Sequence, residues 1–227
     1  GASCLHLNHI YHWMEPGIMD PNNDHYDEII AGKKAYLNIP FFMARAFFYV
    51  LVWIICIRVL RRLSLQEDNE GGLSNYRKTV VVSAIFIVFF GISSSMAAWD
   101  WLMSIDTHWF STMFGWYIFS GMFITAITTI TLLLIHLKKR GYLEQINQSH
   151  FHDLGKYMFA FSVFWTYLWF SQFMLIWYSN IPEEVTYFMA RFDDYKTLFW
   201  TMVVINFVFP ILILMSADAK KNLTILT

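Results

Sequence analysis

Charged residues are scarce in this chain of 227 residues: Asp, Glu, Lys and Arg make up 15% of it, against 57% hydrophobic and 19% aromatic residues. Soluble domains carry about 25% charged residues, so the deficit indicates a protein that lies in lipid. The formal net charge is −1, whereas a phosphate-binding surface needs a basic excess. The composition therefore excludes a nucleic-acid partner and predicts membrane lipids as the surroundings.

Cysteine is equally scarce, with Cys4 and Cys56 as the two in the chain. Two cysteines cannot build a disulfide framework, and the chain has neither a Cys-x-x-Cys-His haem attachment motif nor a cysteine cluster for iron–sulfur ligation. The N-terminus has no methionine and no signal-peptide pattern. We therefore expect a section of a longer subunit that carries no covalently attached cofactor.

Histidine forms two groups, neither with the close-set spacing of a structural zinc site. They are His6, His9 and His12, and His150 and His152 with Asp153. A buried b-haem would need two histidines facing each other within membrane spans, and no histidine lies in the middle of an apolar run. We expect this chain to bind no metal and no haem.

Long apolar runs are what the chain does contain. A bilayer core about 30 Å thick requires about 20 residues of helix, and five windows satisfy this: roughly 41–60, 79–101, 113–136, 156–178 and 197–216. The sequence predicts an all-α integral membrane fold with five transmembrane helices. Residues 1–40 precede this bundle and 217–227 come after it. Pro210 predicts a kink in the fifth helix.

Lysine and arginine alternate between the connections. They come after the first span (Arg61, Arg62, Arg77, Lys78), the third span (Lys138, Lys139, Arg140) and the fifth span (Lys220, Lys221). The 102–112 connection has none, and the 179–196 connection is acidic on balance. The positive-inside rule then predicts that residues 1–40 face outward and the C-terminal end faces inward. Lys33 and Lys34 are exceptions, outnumbered by nearby acidic residues.

Polar residues within the spans form stripes at helical spacing. The stripes are Ser93, Ala97 and Asp100, with Ser94 and Ser95 beside them; Tyr117, Gly121, Thr125 and Thr128; and Ser162, Thr166, Trp169 and Gln172. Small and hydroxyl residues commonly pack membrane helices together, and they could equally line a short water chain. Arg45 and Arg58 flank the first span, where we expect them to snorkel towards water. His136 is expected to be a helix-end residue.

The stretch "AAWDWLMSIDTHWF" places Asp100, Asp106 and His108 at the predicted outer end of the second span. Its tryptophans, with Trp116, are typical of an interfacial aromatic belt. A histidine with an ordinary pKa near ~6.5 exchanges protons near neutral pH. Both interpretations, ordinary interfacial residues or the mouth of a proton path, remain open from the sequence.

The longer run "SSSMAAWDWLMSIDTHWFSTMFGWYIFSGMF" resembles the membrane subunits of bacterial alternative complex III, a quinol:cytochrome c oxidoreductase. It is most similar to the F subunit, which is of the NrfD-like, polysulfide-reductase anchor type. "PILILMSADAKKNL" fits the same family more weakly, and the resemblance extends across all five spans. It implies a bacterial inner-membrane protein with residues 1–40 on the periplasmic side.

The resemblance also implies partners and cofactors. Such complexes oxidise menaquinol or ubiquinol and pass electrons through an iron–sulfur protein and a multi-haem cytochrome c, in some cases to a terminal oxidase. The F subunit carries no redox centre and lies beside an NrfD-like sister subunit, in which a histidine and a later acid form the quinol site. Here His6 or His9 would supply that histidine, but Ala44 and Arg45 stand where the acid is expected.

Three hypotheses are compatible with these residues. The leading one is a non-catalytic scaffold subunit that also lines a proton half-path, with these candidate residues: Asp100, Asp106, His108, Ser93, Ser94, Ser95, Tyr117, Thr125 and Gln172. The second is a direct quinone-binding subunit that uses His6 or His9. The third is a purely structural helix bundle. A transporter is a weaker alternative, because paired broken helices in two halves would be expected.

Overall fold

The computed structural model describes residues 10–23, 25–71 and 73–221, and the chain divides into two compact units, residues 1–110 and 111–227. In the first unit the helices are α1 (Glu28–Gly32), α2 (Ile39–Glu70) and α3 (Leu73–Trp101), with 3-10 turns at His12–Met14 and Met103–Ile105. In the second they are α4 (Met113–Lys139), α5 (Gln148–Ser179), α6 (Pro182–Asp193), α7 (Lys196–Val203) and α8 (Phe209–Leu214).

Five helical stretches in the described part of the chain are long and apolar enough to cross a membrane. They are Ile39–Glu70, Leu73–Ile105, Met113–Lys139, Gln148–Ser179 and Lys196–Leu214. The prediction of an all-α membrane protein with five spans is therefore confirmed. At about 1.5 Å per residue, the 32 residues of α2 exceed the thickness of the hydrocarbon core. The basic residues Arg61 and Arg62 thus lie on the helix itself, beyond the predicted span.

The first unit is a helical hairpin with a folded cover at one end. Helices α2 and α3 pack against each other, and the backbone turns between them at Gly71, whose φ of 67° favours glycine. At the other end, residues 10–23, 25–38 and 102–110, here called the cap, lie over the start of α2 and the end of α3. Its apolar core is formed by Trp13, Met14, Ile18, Ile30, Leu37 and Phe42.

Helix-capping residues fix where the elements of the first unit begin. The Asp27 carboxylate accepts hydrogen bonds from the Ile29 and Ile30 N–H groups at the start of α1. The Asn38 side chain accepts one from Phe41 N–H at the start of α2, where Pro40 occupies the first turn. Such side chains satisfy donors that a helix start leaves unpaired. The cap is thereby connected to α2 by a defined turn.

The second unit is built on α4 and α5, which pack along each other with Phe123 and Phe161 4.0 Å apart at their ring centroids. Asn147 and His150 cap the start of α5 reciprocally. An aromatic cluster joins α6 and α7 to α5: Trp169, Phe173, Phe188, Phe192 and Phe199. Gly155 lets Lys220 approach α5, since a Cβ at this position would lie 3.1 Å from the Lys220 Cβ.

The fifth span is interrupted next to Pro210, where the sequence predicts a kink. Residues Val204–Val208 form a π-helical turn between α7 and α8. A proline lacks the N–H that would continue the α-helical ladder, and a π turn is a common way to absorb such a break. The Asn206 side chain donates a hydrogen bond to the Met202 carbonyl, 2.9 Å away.

Candidate functional site

A buried ion pair joins the two helices of the first hairpin. The Arg45 guanidinium on α2 donates through Nε and one terminal nitrogen to the two carboxylate oxygens of Asp100 on α3, at 2.9 Å each. The side chains are 8% and 1% exposed. This fork-to-fork geometry is the strongest form of ion pairing between protein side chains.

The remaining contacts of Arg45 come from the turn that leads into α2. Its other terminal nitrogen donates to the Tyr36 carbonyl at 3.3 Å. The guanidinium carbon lies 3.9 Å from the Tyr36 ring centroid and 4.2 Å from that of Phe41. A guanidinium between two aromatic faces gains cation–π stabilisation that grows as water is excluded. Arg45 therefore ties the cap to both helices.

The expectation that Arg45 snorkels to water is wrong. Helical side chains lean towards the N-terminal end of their helix, which directs Arg45 towards the cap. There Asp100, near the end of the antiparallel helix, meets it instead of solvent. The sequence places these residues 55 positions apart, so the pairing depends on how the two helices align.

The ion pair also affects the neighbouring phenol. Partial burial of Tyr36, which precedes α2, raises the pKa of its hydroxyl, and its interaction with the Asp100 carboxylate raises that pKa further. The raised pKa favours the neutral phenol, which adds no negative charge beside the paired carboxylate.

A second set of polar contacts holds the cap to the connection after α3. His108 Nε2 lies 2.7 Å from Asp27 Oδ2, so the carboxylate that caps α1 also binds the 102–110 segment. The Lys33 ammonium donates to the Thr107 carbonyl at 2.5 Å. The Ser104 hydroxyl donates to the Asp100 carbonyl, and the Tyr11 hydroxyl to the Trp101 carbonyl at 2.9 Å. These contacts join residues distant in sequence into one cap.

Lys33, one of the two exceptions in the charge pattern, interacts with acidic side chains of the cap. Burial lowers the pKa of its ammonium, while the negative charges of Asp106 and Asp27 oppose that change. The two acids therefore compensate in part for the burial of the Lys33 charge.

Two tryptophans of the predicted aromatic belt differ in their exposure. Trp109 is 2% exposed and forms part of the cap interior, so the aromatic-belt interpretation does not apply to it. Trp116 is exposed, as a residue of such a belt would be. Asp106 lies exposed at the edge of the cap.

The serines of α3 lie deeper along the hairpin than Asp100. Ser93 precedes Asp100 by seven positions, about 10 Å along the helix, and buried Ala97 lies between them. The Ser93 hydroxyl accepts a hydrogen bond from Trp53 Nε1 on α2 at 2.9 Å. Ser94 and Ser95 donate to the Gly91 carbonyl of their own helix. The hydroxyls thus serve helix contacts and local backbone bonds.

The other candidate residues lie in the second unit. The Tyr117 hydroxyl donates to Met202 Sδ at 3.4 Å, and the Thr125 hydroxyl donates to the Gly121 carbonyl at 2.9 Å. Gln172 is buried, and its amide nitrogen has no hydrogen-bond partner among the described residues. The remaining candidates lie in the first unit, where Asp100 pairs with Arg45 and His108 contacts Asp27.

His6 and His9, the candidate quinone ligands, lie outside the described residues. Within the described ranges, no group of three His, Cys, Asp or Glu side chains converges on a metal site. His150 lies in the first turn of α5, where its Nδ1 is 2.8 Å from the Asn147 side-chain oxygen. His136 is exposed on the last turn of α4.

Sequence reasoning missed Arg45, Asp27 and Lys33 as members of the site. A signal for Arg45 was present, because an arginine in the second turn of an apolar helix requires a partner. An acid near the end of the adjacent antiparallel helix is the natural candidate. No comparable signal exists for Asp27 and Lys33, whose contacts depend on the fold of the cap.

Replacing Asp100 with Asn should lower the free energy of unfolding by about 3–5 kcal/mol, because it leaves the Arg45 guanidinium buried without a countercharge. Steric trapping in bilayers or thermal unfolding in detergent measures the loss. Asp68→Asn, which alters an exposed acid near the end of α2, is the matched control and should change stability by about 0.5 kcal/mol or less. Equal stability of the two variants would contradict the assigned role of the pair.

The cap should loosen in acid through Asp27. Burial acts to raise the pKa of Asp27, but hydrogen bonds from the Ile30 and Ile29 N–H groups and the His108 ring prevail and lower it. A depressed pKa gives stability that is present above the ordinary value near ~4 and is lost as pH falls through the folded value. We expect the unfolding temperature to drop over this window.

The matched variants are Asp27→Asn, which retains a capping side chain but cannot titrate, and Asp20→Asn, which alters a cap acid without contact to His108. The first should flatten the acid limb of the unfolding temperature, whereas the second should leave it as in the parent protein. An unchanged acid limb in Asp27→Asn would show that the titration arises elsewhere.

No protein-family model matches this chain, and no curated protein matches it. The contacts on which a function can be argued are the Arg45–Asp100 pair between two membrane-length helices and the Asp27–His108 and Lys33–Thr107 contacts of the cap.

Proposed function

We propose that this chain is a multi-pass scaffold subunit, without a redox centre of its own, of a bacterial quinol-oxidising respiratory complex of the alternative complex III type. The observation that carries the proposal is the position of the resemblance. The run "WDWLMSIDTHWFST" contains Asp100, which pairs with Arg45, and His108, which contacts Asp27. The most family-like residues are therefore those that hold the first hairpin and its cap together.

A scaffold role fits the chemistry of these residues better than proton conduction does. Both oxygens of Asp100 bind the Arg45 guanidinium, so protonating the carboxylate would break two charge-assisted hydrogen bonds in a buried site. The hydroxyls of Ser94, Ser95 and Thr125 donate to backbone carbonyls of their own helices. Neither feature offers protons a readily exchangeable relay.

The exposed faces of the hairpin suit the same role. Phe47, Ile85 and Ile87 are all more than half exposed on α2 and α3, among many similar side chains. Faces of this kind are compatible with lipid and with apolar surfaces of other membrane subunits. In the proposed complex the partners are an NrfD-like sister subunit, a multi-haem cytochrome c and an iron–sulfur protein. Menaquinol or ubiquinol is oxidised to menaquinone or ubiquinone at a site outside this chain.

The proposal is tested by tagging the chain and isolating its assembly from native membranes. A c-type haem protein and an iron–sulfur protein should co-migrate with it in fixed ratio, together with quinol:cytochrome c activity. Asp100→Asn should reduce the amount of assembled complex, while turnover and protons released per quinol stay at the parent value in what does assemble. Asp68→Asn should assemble normally.

Two outcomes would contradict the proposed role. If the isolated assembly contains no haem protein and has no quinol:cytochrome c activity, the respiratory assignment is wrong. Normal assembly of Asp100→Asn with fewer protons released per quinol in vesicles would assign Asp100 to a proton path instead.

A further inference from the structure

A cavity of about 490 Å³ lies in the cap beside the end of α3. One wall comes from the residues that end α1 and lead to α2, and the other from the end of α3 and the connection after it. The residues that decide its chemistry are Lys33, Tyr36, Trp99, Asp106, Trp109 and Phe110. The lining is mainly apolar and aromatic, with one cation and one anion.

The protein uses only part of the hydrogen-bonding capacity of the Lys33 ammonium, the cation of this lining. The Lys33 ammonium has three donors, and the described residues supply one hydrogen-bond acceptor, the Thr107 carbonyl, with the Phe110 ring centroid 5.9 Å away. The lining thus offers the remaining donors of the Lys33 ammonium to an anionic or strongly accepting group.

Asp106, the anion of the lining, adds a second condition on the charge of a ligand. Asp106 lies at the exposed side, and the aromatic side chains around it present faces of the kind that attract ammonium groups. A ligand bearing only negative charge would be repelled by Asp106, and one bearing only positive charge would be repelled by Lys33. The complementary ligand carries both charges a short distance apart.

The location of the cavity indicates the source of such a group. It lies where α2 begins and α3 ends, at the boundary of two membrane-length helices. Phospholipid headgroups occupy this level of a bilayer. Ile105 and Phe110 are 44% and 63% exposed at or next to the lining, so acyl chains could continue along apolar surface.

We propose that this cavity binds the headgroup of a zwitterionic glycerophospholipid. Its phosphate accepts hydrogen bonds from Lys33 Nζ, and its ammonium group lies towards Asp106 and the aromatic side chains. The acyl chains lie outside the cavity on the apolar surface of the hairpin. This inference stands on the cap alone and does not depend on the proposed respiratory function.

The test is native mass spectrometry of the full chain, alone or in its complex, released from nanodiscs of phosphatidylethanolamine or phosphatidylglycerol. The parent protein should retain one phosphatidylethanolamine in preference to phosphatidylglycerol. Lys33→Gln should weaken that retention by about tenfold or more, the effect expected for loss of a charge-assisted hydrogen bond. Lys34→Gln is the matched control, since Lys34 is exposed and does not line this cavity, and should retain the lipid.

A further variant separates lipid binding from folding. Asp106→Asn alters an exposed side chain and should shift the preference towards phosphatidylglycerol at an unchanged unfolding temperature. Equal lipid retention by Lys33→Gln and Lys34→Gln would overturn the proposal, and so would displacement of the lipid by millimolar inorganic phosphate, which would make the site one for a free anion.

Discussion

The Arg45–Asp100 pair is the interaction on which the first unit depends. It places two full charges in a hairpin whose exposed surface is apolar, so each charge is tolerable there only in the presence of the other. Because the guanidinium also reaches the Tyr36 carbonyl and lies between the Tyr36 and Phe41 rings, the pair sets the alignment of α2 with α3. It also sets the position at which the cap meets both helices.

The rest of the cap depends on that alignment. Once α3 ends beside the start of α2, the 102–110 connection lies within reach of α1, and Asp27 and Lys33 can bind His108 and Thr107. The same arrangement leaves a cavity whose lining holds the Lys33 ammonium, with an acid at its edge. The proposed lipid site is thus a consequence of how the hairpin is closed, and the proposed scaffold role rests on the same closure.

Hydropathy predicts the membrane architecture well, because a span must be both long and apolar whatever it packs against. It also locates the break at Pro210, since the missing N–H is a local property. The contacts of the candidate site are harder to predict from the sequence. Serine and threonine stripes look alike whether they line water or donate to their own helix, as Ser94 and Thr125 do. Local sequence does not reveal the burial of Arg45, because the helix alignment that brings Asp100 to it is a tertiary property.

A double-mutant cycle on the pair gives the sharpest test of its role, with unfolding free energies measured in a bilayer for Arg45→Met, Asp100→Leu and the double variant. If the pair holds the hairpin and its cap together, each single change is severely destabilising. The double variant should then recover much of the loss, giving a coupling of about 2–3 kcal/mol. Additive effects, with a coupling near zero, would contradict that role.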